Sequence, residues 1–431
     1  MTTADVTPTA AAAGLRVDLL TRTFLAMQGA LGSAEDLYFG VLLRLRGAPI
    51  GIDTLRALVG EHLGSLPALT HRLVSVEGGE LRWERDPHFD IRSHIDVLDG
   101  SMARPEPAGV WLGGAPGQDR PLWRMWLLPG DGDTWGIAYI VHHAAQDGTA
   151  LIRTLELIFG EGEPSADNLV EPGKPLPWRA LRALPNVLAT LRPAAPLTAL
   201  PPARGDGRRV TYRAIPLDDV LSICAASAAS IGQVHLAALT GAIRRWSPAD
   251  FSDRVRWPRR RGLPVCVPVD TRRPGEDTAT AGSLIGLMRV ELPCGDTDPR
   301  RRLRAVMTRV SRRRVEAYRA AARALIEDVP PRIGAACLTR LGDRRNVALT
   351  ASSFRAIGPL SVAGSPVEQV IAIPWLPPAH SCFSILTRYQ GQATLSILTA
   401  DGTADPEDLA EGWVETLHEM RAAYHTQRSA S

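Results

Sequence analysis

The chain has 431 residues, 45% of them hydrophobic, enough to bury two cores rather than one. Its formal net charge of +3 provides no global basic field, which argues against a nucleic-acid partner. Five cysteines without a Cys-x-x-Cys pair argue against both a disulfide framework and a zinc site, so no metal is expected. In chain order, residues 1–15 read as a flexible tail. It carries Asp5 and no basic residue before Arg16, and its alanine run is too short for a signal-peptide core. No apolar stretch approaches the roughly eighteen residues of a membrane span. A soluble cytoplasmic protein is expected, with peripheral membrane contact as the variant.

A helix over 17–29, a strand over 37–45 and a helix over 52–63 follow the tail. Residues 134–141 are rich in branched and aromatic side chains and read as a strand buried on both faces. His142 and His143 extend it, and an Asp-Gly turn follows. Leu151, Ile152, Leu155, Ile158 and Phe159 then recur at helical spacing, with Asp147 or Thr149 able to cap that helix. Residues 160–177 mix Gly, Pro, Glu, Asp and Ser without apolar period and read as a linker. A short basic amphipathic helix over 178–191 and a Pro/Gly stretch over 193–207 make 161–209 one crossover between a lobe at 16–160 and a lobe at 210–431. The second lobe reads as strand 210–215, helices 217–230 and 233–246, strands 263–269 and 287–292, and an arginine-rich helix over 298–328. Strands at 347–352, 367–373, 381–388 and 393–399 and a helix at 406–424 complete it. There is no internal repeat.

The stretch Tyr139-Ile-Val-His-His-Ala-Ala-Gln-Asp-Gly148 reads as the corner of an active site. Consecutive strand residues face opposite ways, so one imidazole can enter a cleft while the other packs behind it. By itself the pair is also compatible with structural histidines.

His142-His143-x-x-x-Asp147-Gly148 resembles the signature of the thioester-dependent acyltransferases, a superfamily that includes chloramphenicol acetyltransferase, condensation domains and wax ester synthase/diacylglycerol acyltransferases. Arg120-Pro-Leu-Trp123 resembles a segment of the wax ester synthase branch. Residues 67–74 and 83–94, Cys266-Val-Pro-Val-Asp-Thr-Arg-Arg-Pro274, Asn346-Val-Ala-Leu349 and Gly358-Pro359 resemble it as well. The resemblance implies an α/β chain of the α+β type, with two similar chloramphenicol-acetyltransferase-like lobes, mixed sheets and a tunnel between them. It also implies acyl transfer from an acyl-CoA or acyl-carrier-protein thioester to a hydroxyl acceptor, giving an ester. His143 takes the general-base position, His142 an orienting role, Asp147 a structural role with Arg272 or Arg273 as partner, and Gly148 the turn. Pro121, Leu122, Trp123 and Ser283 are the expected substrate-binding residues, although Trp123 is equally suited to a core.

Such a mechanism needs a base near neutrality and no covalent acyl-enzyme, and the chain has no Gly-x-Ser-x-Gly elbow. No cofactor beyond the thioester co-substrate is expected. His235 and His380 are assigned no catalytic role. The chain departs from the branch at Thr350-Ala351, at Ala281-Gly282-Ser283 and at Phe383, where polar residues are usual. Those changes leave open an amine acceptor with amide formation, or a noncatalytic protein binding an acyl group or carrier. Ten arginines between Arg300 and Arg323, and Trp257-Pro-Arg-Arg-Arg261, read as solvated faces, or as sites for phosphates, an acidic carrier or an anionic membrane.

Overall fold

The computed structural model describes residues 15–31, 37–76, 80–98, 119–130, 132–160, 181, 184–189, 192–202, 207–252, 262–273, 276, 281–354, 357–377 and 380–425. The expected tail at 1–14, the linker at 161–177 and the Trp257–Arg261 segment lie outside them. Of the helix expected over 178–191, the described residues are 181 and the helical stretch Leu184–Ala189.

The first half contains β1 (Leu15–Arg16), α1 (Leu19–Leu31), β2 (Tyr38–Arg46), α2 (Ile52–His62), α3 (Pro67–Thr70), β3 (His71–Ser75), β4 (Leu81–Arg85), β5 (Ile95–Val97), β6 (Trp123–Leu128), β7 (Thr134–His142) and α4 (Gly148–Phe159). After α5 (Leu184–Ala189) come β8 (Arg208–Pro216), α6 (Leu217–Ser227), α7 (Ile231–Trp246), β9 (Leu263–Asp270) and β10 (Ile285–Leu292). Three helices follow: α8 (Pro299–Arg309), α9 (Arg312–Asp328) and α10 (Pro331–Gly342). The chain continues through β11 (Thr350–Ser353), β12 (Ser361–Val362), β13 (Ser365–Ile373), β14 (Cys382–Tyr389), β15 (Gln392–Ala400) and α11 (Pro406–His425).

Two six-stranded sheets dominate, ordered β12-β13-β2-β7-β6-β5 and β10-β9-β11-β14-β15-β8, beside a small sheet β1-β4-β3. Both large sheets mix parallel and antiparallel pairs. In the first, β2 and β7 pair antiparallel along their whole lengths, from Tyr38 opposite His142 to Arg46 opposite Thr134. Gly40 makes this close approach possible, because a Cβ there would sit 2.0 Å from the Tyr139 carbonyl oxygen. Every residue of β7 after Thr134 is buried, as its unbroken apolar run implies.

Chain order does not divide the lobes as simply as a boundary at 161–209 suggests. Strand β13, from the second half, pairs antiparallel with β2 and completes the first sheet, carrying β12 with it. Its local pattern marks a strand but carries no information about which sheet edge it joins. The arginine-rich region also differs from one helix over 298–328. It breaks at Val310-Ser311 into α8 and α9, with extended backbone at Ser311, and α10 follows without having been anticipated. Asp298 caps α8 by accepting from the Arg301 N–H at 2.7 Å. In the second lobe, α7 starts at a Ser230–Gln233 capping box and is buried from Val234 to Ile243, packed against α11.

Among the described residues no single helix is long and apolar enough to cross a membrane.

Candidate active site

Strand β7 ends at His142, and the main chain then turns through Ala144–Asp147 into α4. The turn is closed by main-chain bonds: the Ala145 N–H donates to the His142 carbonyl (2.8 Å) and the His143 N–H to the Leu37 carbonyl (2.9 Å). His142 turns away from the cavity. Its Nδ1 accepts from the Ala144 N–H at 3.0 Å, and its ring meets Tyr38 edge-on at 5.1 Å. Burial, then the neighbouring His143, lowers its pKa to about 3, so it stays neutral and holds the turn.

His143 faces the other way. Its ring stacks between Phe39 (4.2 Å between centroids) and Phe24 (4.7 Å), and Trp375 lies tilted at 5.0 Å. Nδ1 is buried without a hydrogen-bond partner among the described residues, which leaves Nε2 as the nitrogen able to meet a ligand. Burial lowers the imidazole to about 4, against the opposing pull of Asp147 and of its own carbonyl. The ring is therefore neutral at physiological pH, the form that can accept a proton.

A cavity of about 590 Å³ reaches His143 between the lobes. Phe24, Phe39, Ile285, Leu287, Trp375 and Phe383 supply much of its apolar wall; Thr149, Asp270, Asp343, Arg344 and Arg345 are polar points on it. Cys266 also lines it, but burial pushes that thiol up to about 12, far from a reactive thiolate.

Asp147 joins the lobes. It is fully buried and caps α4 through the Thr149 and Ala150 N–H groups at 3.1 and 3.0 Å. Arg272, just past β9, donates from Nη1 to Oδ2 (2.9 Å) and from Nη2 to Oδ1 (3.0 Å), a bidentate pair. The Leu284 N–H adds a fifth bond at 2.7 Å. Burial alone would raise this carboxyl, but Arg272 and the amides outweigh it and hold it below the usual range. Arg273 is not the partner: it is half exposed and pairs with Glu327 at 2.6 Å.

Ser283 is wholly buried and does not line the cavity. Its Oγ donates to the His143 carbonyl at 2.7 Å, so it positions the histidine backbone rather than a substrate. Asp18, which the sequence reading passed over, works beside it. This half-buried carboxylate accepts from Thr21 N–H (2.7 Å) and lies 3.4 Å from the Ser283 N–H, while Thr21 Oγ1 is 2.7 Å from the Ala144 carbonyl. Burial raises the Asp18 carboxyl. The Asp-x-x-Thr spacing at a helix start is a capping signal visible in the sequence; its reach into the His-His turn is not.

Pro121, Leu122 and Trp123 are also absent from the cavity wall. All three are buried in the core, where Trp123 donates to the Leu69 carbonyl (2.9 Å) and stacks on His94 at 4.7 Å. Aromatic area and a satisfied indole N–H explain that placement. Gly148 is the first residue of α4 and has no left-handed backbone, so a turn does not require glycine there. Contact does: a Cβ would meet the Phe354 ring at 2.6 Å. Phe383 does line the cavity, as does Thr350.

His235 is buried among the second-lobe helices, and His380 bonds the Gly342 carbonyl at 2.6 Å. None of the ten arginines from Arg300 to Arg323 lines the cavity. Arg302 pairs with Glu419, Arg309 bonds the Glu291 carbonyl, and Arg323 bridges Glu276 and Glu327. Among the described residues no three His, Cys, Asp or Glu side chains are grouped to hold a metal.

With a histidine in an interlobe cavity and its Asp-Gly turn clamped by an arginine, the likeness to known proteins can be stated. Residues 281–421 match the WS/DGAT C-terminal domain. Over that segment the chain is similar to the wax ester synthases/diacylglycerol acyltransferases. It is 28% identical over 278 residues to tgs1 of Mycobacterium tuberculosis, named a probable diacylglycerol O-acyltransferase, with 56% of this chain and 58% of that protein covered. The chain thus spans little more than half the length of that relative. In structure it is similar to the wax ester synthase/diacylglycerol acyltransferase from Marinobacter aquaeolei VT8, with a TM-score of 0.63, 16% identity, and 95% and 100% of the two chains covered. The first condensation domain of the calcium-dependent antibiotic synthetase, in complex with a substrate analogue, gives 0.70 and 17%, covering 95% and 97%. Both likenesses bear on the fold: two α+β lobes of the condensation-domain kind.

Proposed function

We propose that this protein is an acyltransferase that moves an acyl group from a coenzyme A or carrier-protein thioester to a hydroxyl acceptor. The observation that carries the reading is His143, neutral, held between Phe24 and Phe39 at the wall of a cavity large enough for a small ligand. With its proton on Nδ1, the imidazole accepts the acceptor hydroxyl's proton at Nε2. The freed oxygen attacks the thioester carbonyl, the tetrahedral oxyanion collapses, and the departing thiolate recovers the proton from His143. No acyl-enzyme forms. Asp147 and Arg272 hold the turn that presents the base, and Ser283 holds its carbonyl. The apolar wall suits an acyl chain, and the diacylglycerol and wax ester names of the relatives make lipid-like alcohols the first acceptors to try.

The test is thiol release from a series of acyl thioesters, short to long, offered with alcohols and amines to the native protein and to His143→Ala. Acceptor-dependent release that falls by about 10²-fold or more in the variant is expected. Equal release by both proteins, or none with any donor, overturns the reading and favours a binding protein instead; release with amines alone redirects it to amide formation.

A further inference from the structure

Asp270, at the end of β9, is a carboxylate on the wall of the His143 cavity that the proposed reaction does not use. Its surroundings leave it partly unsatisfied. Arg272 serves two carboxylates at once. Both of its terminal nitrogens bond Asp147, and only a single longer bond, Nη1 to Oδ1 at 3.2 Å, reaches Asp270. Asp270 Oδ1 also accepts from the Arg272 N–H (2.9 Å), and among the described residues Oδ2 accepts only the Thr149 hydroxyl (3.0 Å). Arg319 bonds the Asp270 main-chain carbonyl at 2.7 Å, not the carboxylate. Two anionic groups therefore share one guanidinium, and the one that keeps a spare lone pair on Oδ2 is 37% exposed, whereas Asp147 is sealed. Thr149 has spent its hydroxyl proton on Asp270, so the pair offers acceptors and no donor. It sits at the first turn of α4, directly after the Asp-Gly that follows His143.

Accepting the proposed acyl transfer, we infer that Asp270 is a specificity residue for the acceptor, selecting a molecule that carries a second hydrogen-bond donor, a hydroxyl or an ammonium, near the group to be acylated. The apolar wall takes the hydrocarbon, His143 takes the reacting proton, and Asp270 Oδ2 takes the second donor. A plain long-chain alcohol that fills the cavity displaces water from that carboxylate oxygen without replacing its hydrogen bond, and groups left unpaired in this way are what reject analogues lacking the donor.

The experiment compares a long-chain primary alcohol with the vicinal diol and the amino alcohol of the same chain length, using one acyl thioester, in the native protein and in Asp270→Asn and Asp270→Ala. The expected native preference in kcat/KM for the acceptors with a second donor is about 10- to 100-fold, the range of a charge-assisted hydrogen bond. It collapses toward parity in Asp270→Ala, and in Asp270→Asn the amino alcohol loses more than the diol if the ammonium is the preferred group. Because Asp270 also touches Arg272, Thr149→Val serves as a second probe: it frees Oδ2 while leaving the carboxylate in place, and the preference is retained or increased. Calorimetric titration of the same acceptors without donor gives their affinities independently of turnover. A native protein that binds and turns over all three acceptors equally, or a folded Asp270→Ala with the native preference, overturns the inference while leaving the acyl transfer standing. No transfer to any acceptor counts against the proposed reaction, and the titrations then decide the role of Asp270.

Discussion

Replacing Arg272 with alanine removes the guanidinium that reaches Asp147 and leaves a fully buried carboxylate with three main-chain N–H groups and, among the described residues, no paired counter-charge. Breaking one half of a buried, hydrogen-bonded ion pair costs about 3–5 kcal/mol, a large share of the roughly 5–15 kcal/mol that holds a protein of this kind folded. Arg272→Lys should recover little, because one ammonium cannot make the two parallel bonds to Oδ1 and Oδ2. Asp147→Asn costs less than Arg272→Ala, since Arg272 keeps its bond to Asp270. The double variant should be more stable than the sum of the single losses predicts by about 2 kcal/mol or more, because the second change removes the charge that the first leaves stranded. Urea unfolding of the native protein and the four variants measures all of these terms. The pH dependence carries a further sign. The Asp147 carboxyl lies below its unfolded value, so its contribution is fully present above the unfolded pKa and is lost as pH falls through the folded one. In Arg272→Ala the stranded carboxyl rises toward or past its unfolded value, so this acid loss shrinks or reverses, and the stability deficit of the variant relative to the native protein narrows as pH falls. An Arg272→Ala cost below about 1 kcal/mol, or additivity within about 0.5 kcal/mol, would refute the picture of a buried interlobe clamp.

The acid limb of kcat/KM should lie near pH 4 rather than near 6.5, because burial lowers His143 and only the neutral ring can take the acceptor's proton; a limb near 6.5 would mean that the free enzyme opens this site to water. Gly148→Ala forces a methyl against Phe354 and should cost about 1–3 kcal/mol with a matching drop in melting temperature, partly restored by adding Phe354→Leu. An unchanged melting temperature in Gly148→Ala would show that the ring moves aside freely.

That the two histidines face opposite ways was legible in the sequence because it depends on the alternation of a strand, a local property. His142 at the end of β7 packs on Tyr38 of its own sheet, and His143, one residue on, meets the cavity. The helix after the Asp-Gly turn was legible for the same reason, its apolar spacing lying within one segment. The Asp147 partner was narrowed to two adjacent arginines. Neighbours on an irregular stretch can point anywhere, and only the packed chain directs Arg272 inward and Arg273 to Glu327. The cavity was misread where a family segment stood in for geometry. Trp123 pairs with Val141 of the His-His strand, and Pro121 and Leu122 lead into it, so a sequence likeness cannot tell whether they face a ligand or the core behind it.

What the sequence determined by itself was the set of short-range facts: the strand, the turn, the cap and the presence of a histidine pair with a fixed spacing to its Asp-Gly. What the tertiary structure decided was everything that depends on residues far apart in the chain meeting across the lobes. The return of β13 to the first sheet, the sandwich of His143 between Phe24 and Phe39, and the sharing of Arg272 by Asp147 and Asp270 are all of this kind. Periodicity along a chain reports which side of an element is buried, but not against which partner, and a site made between two lobes consists of partners.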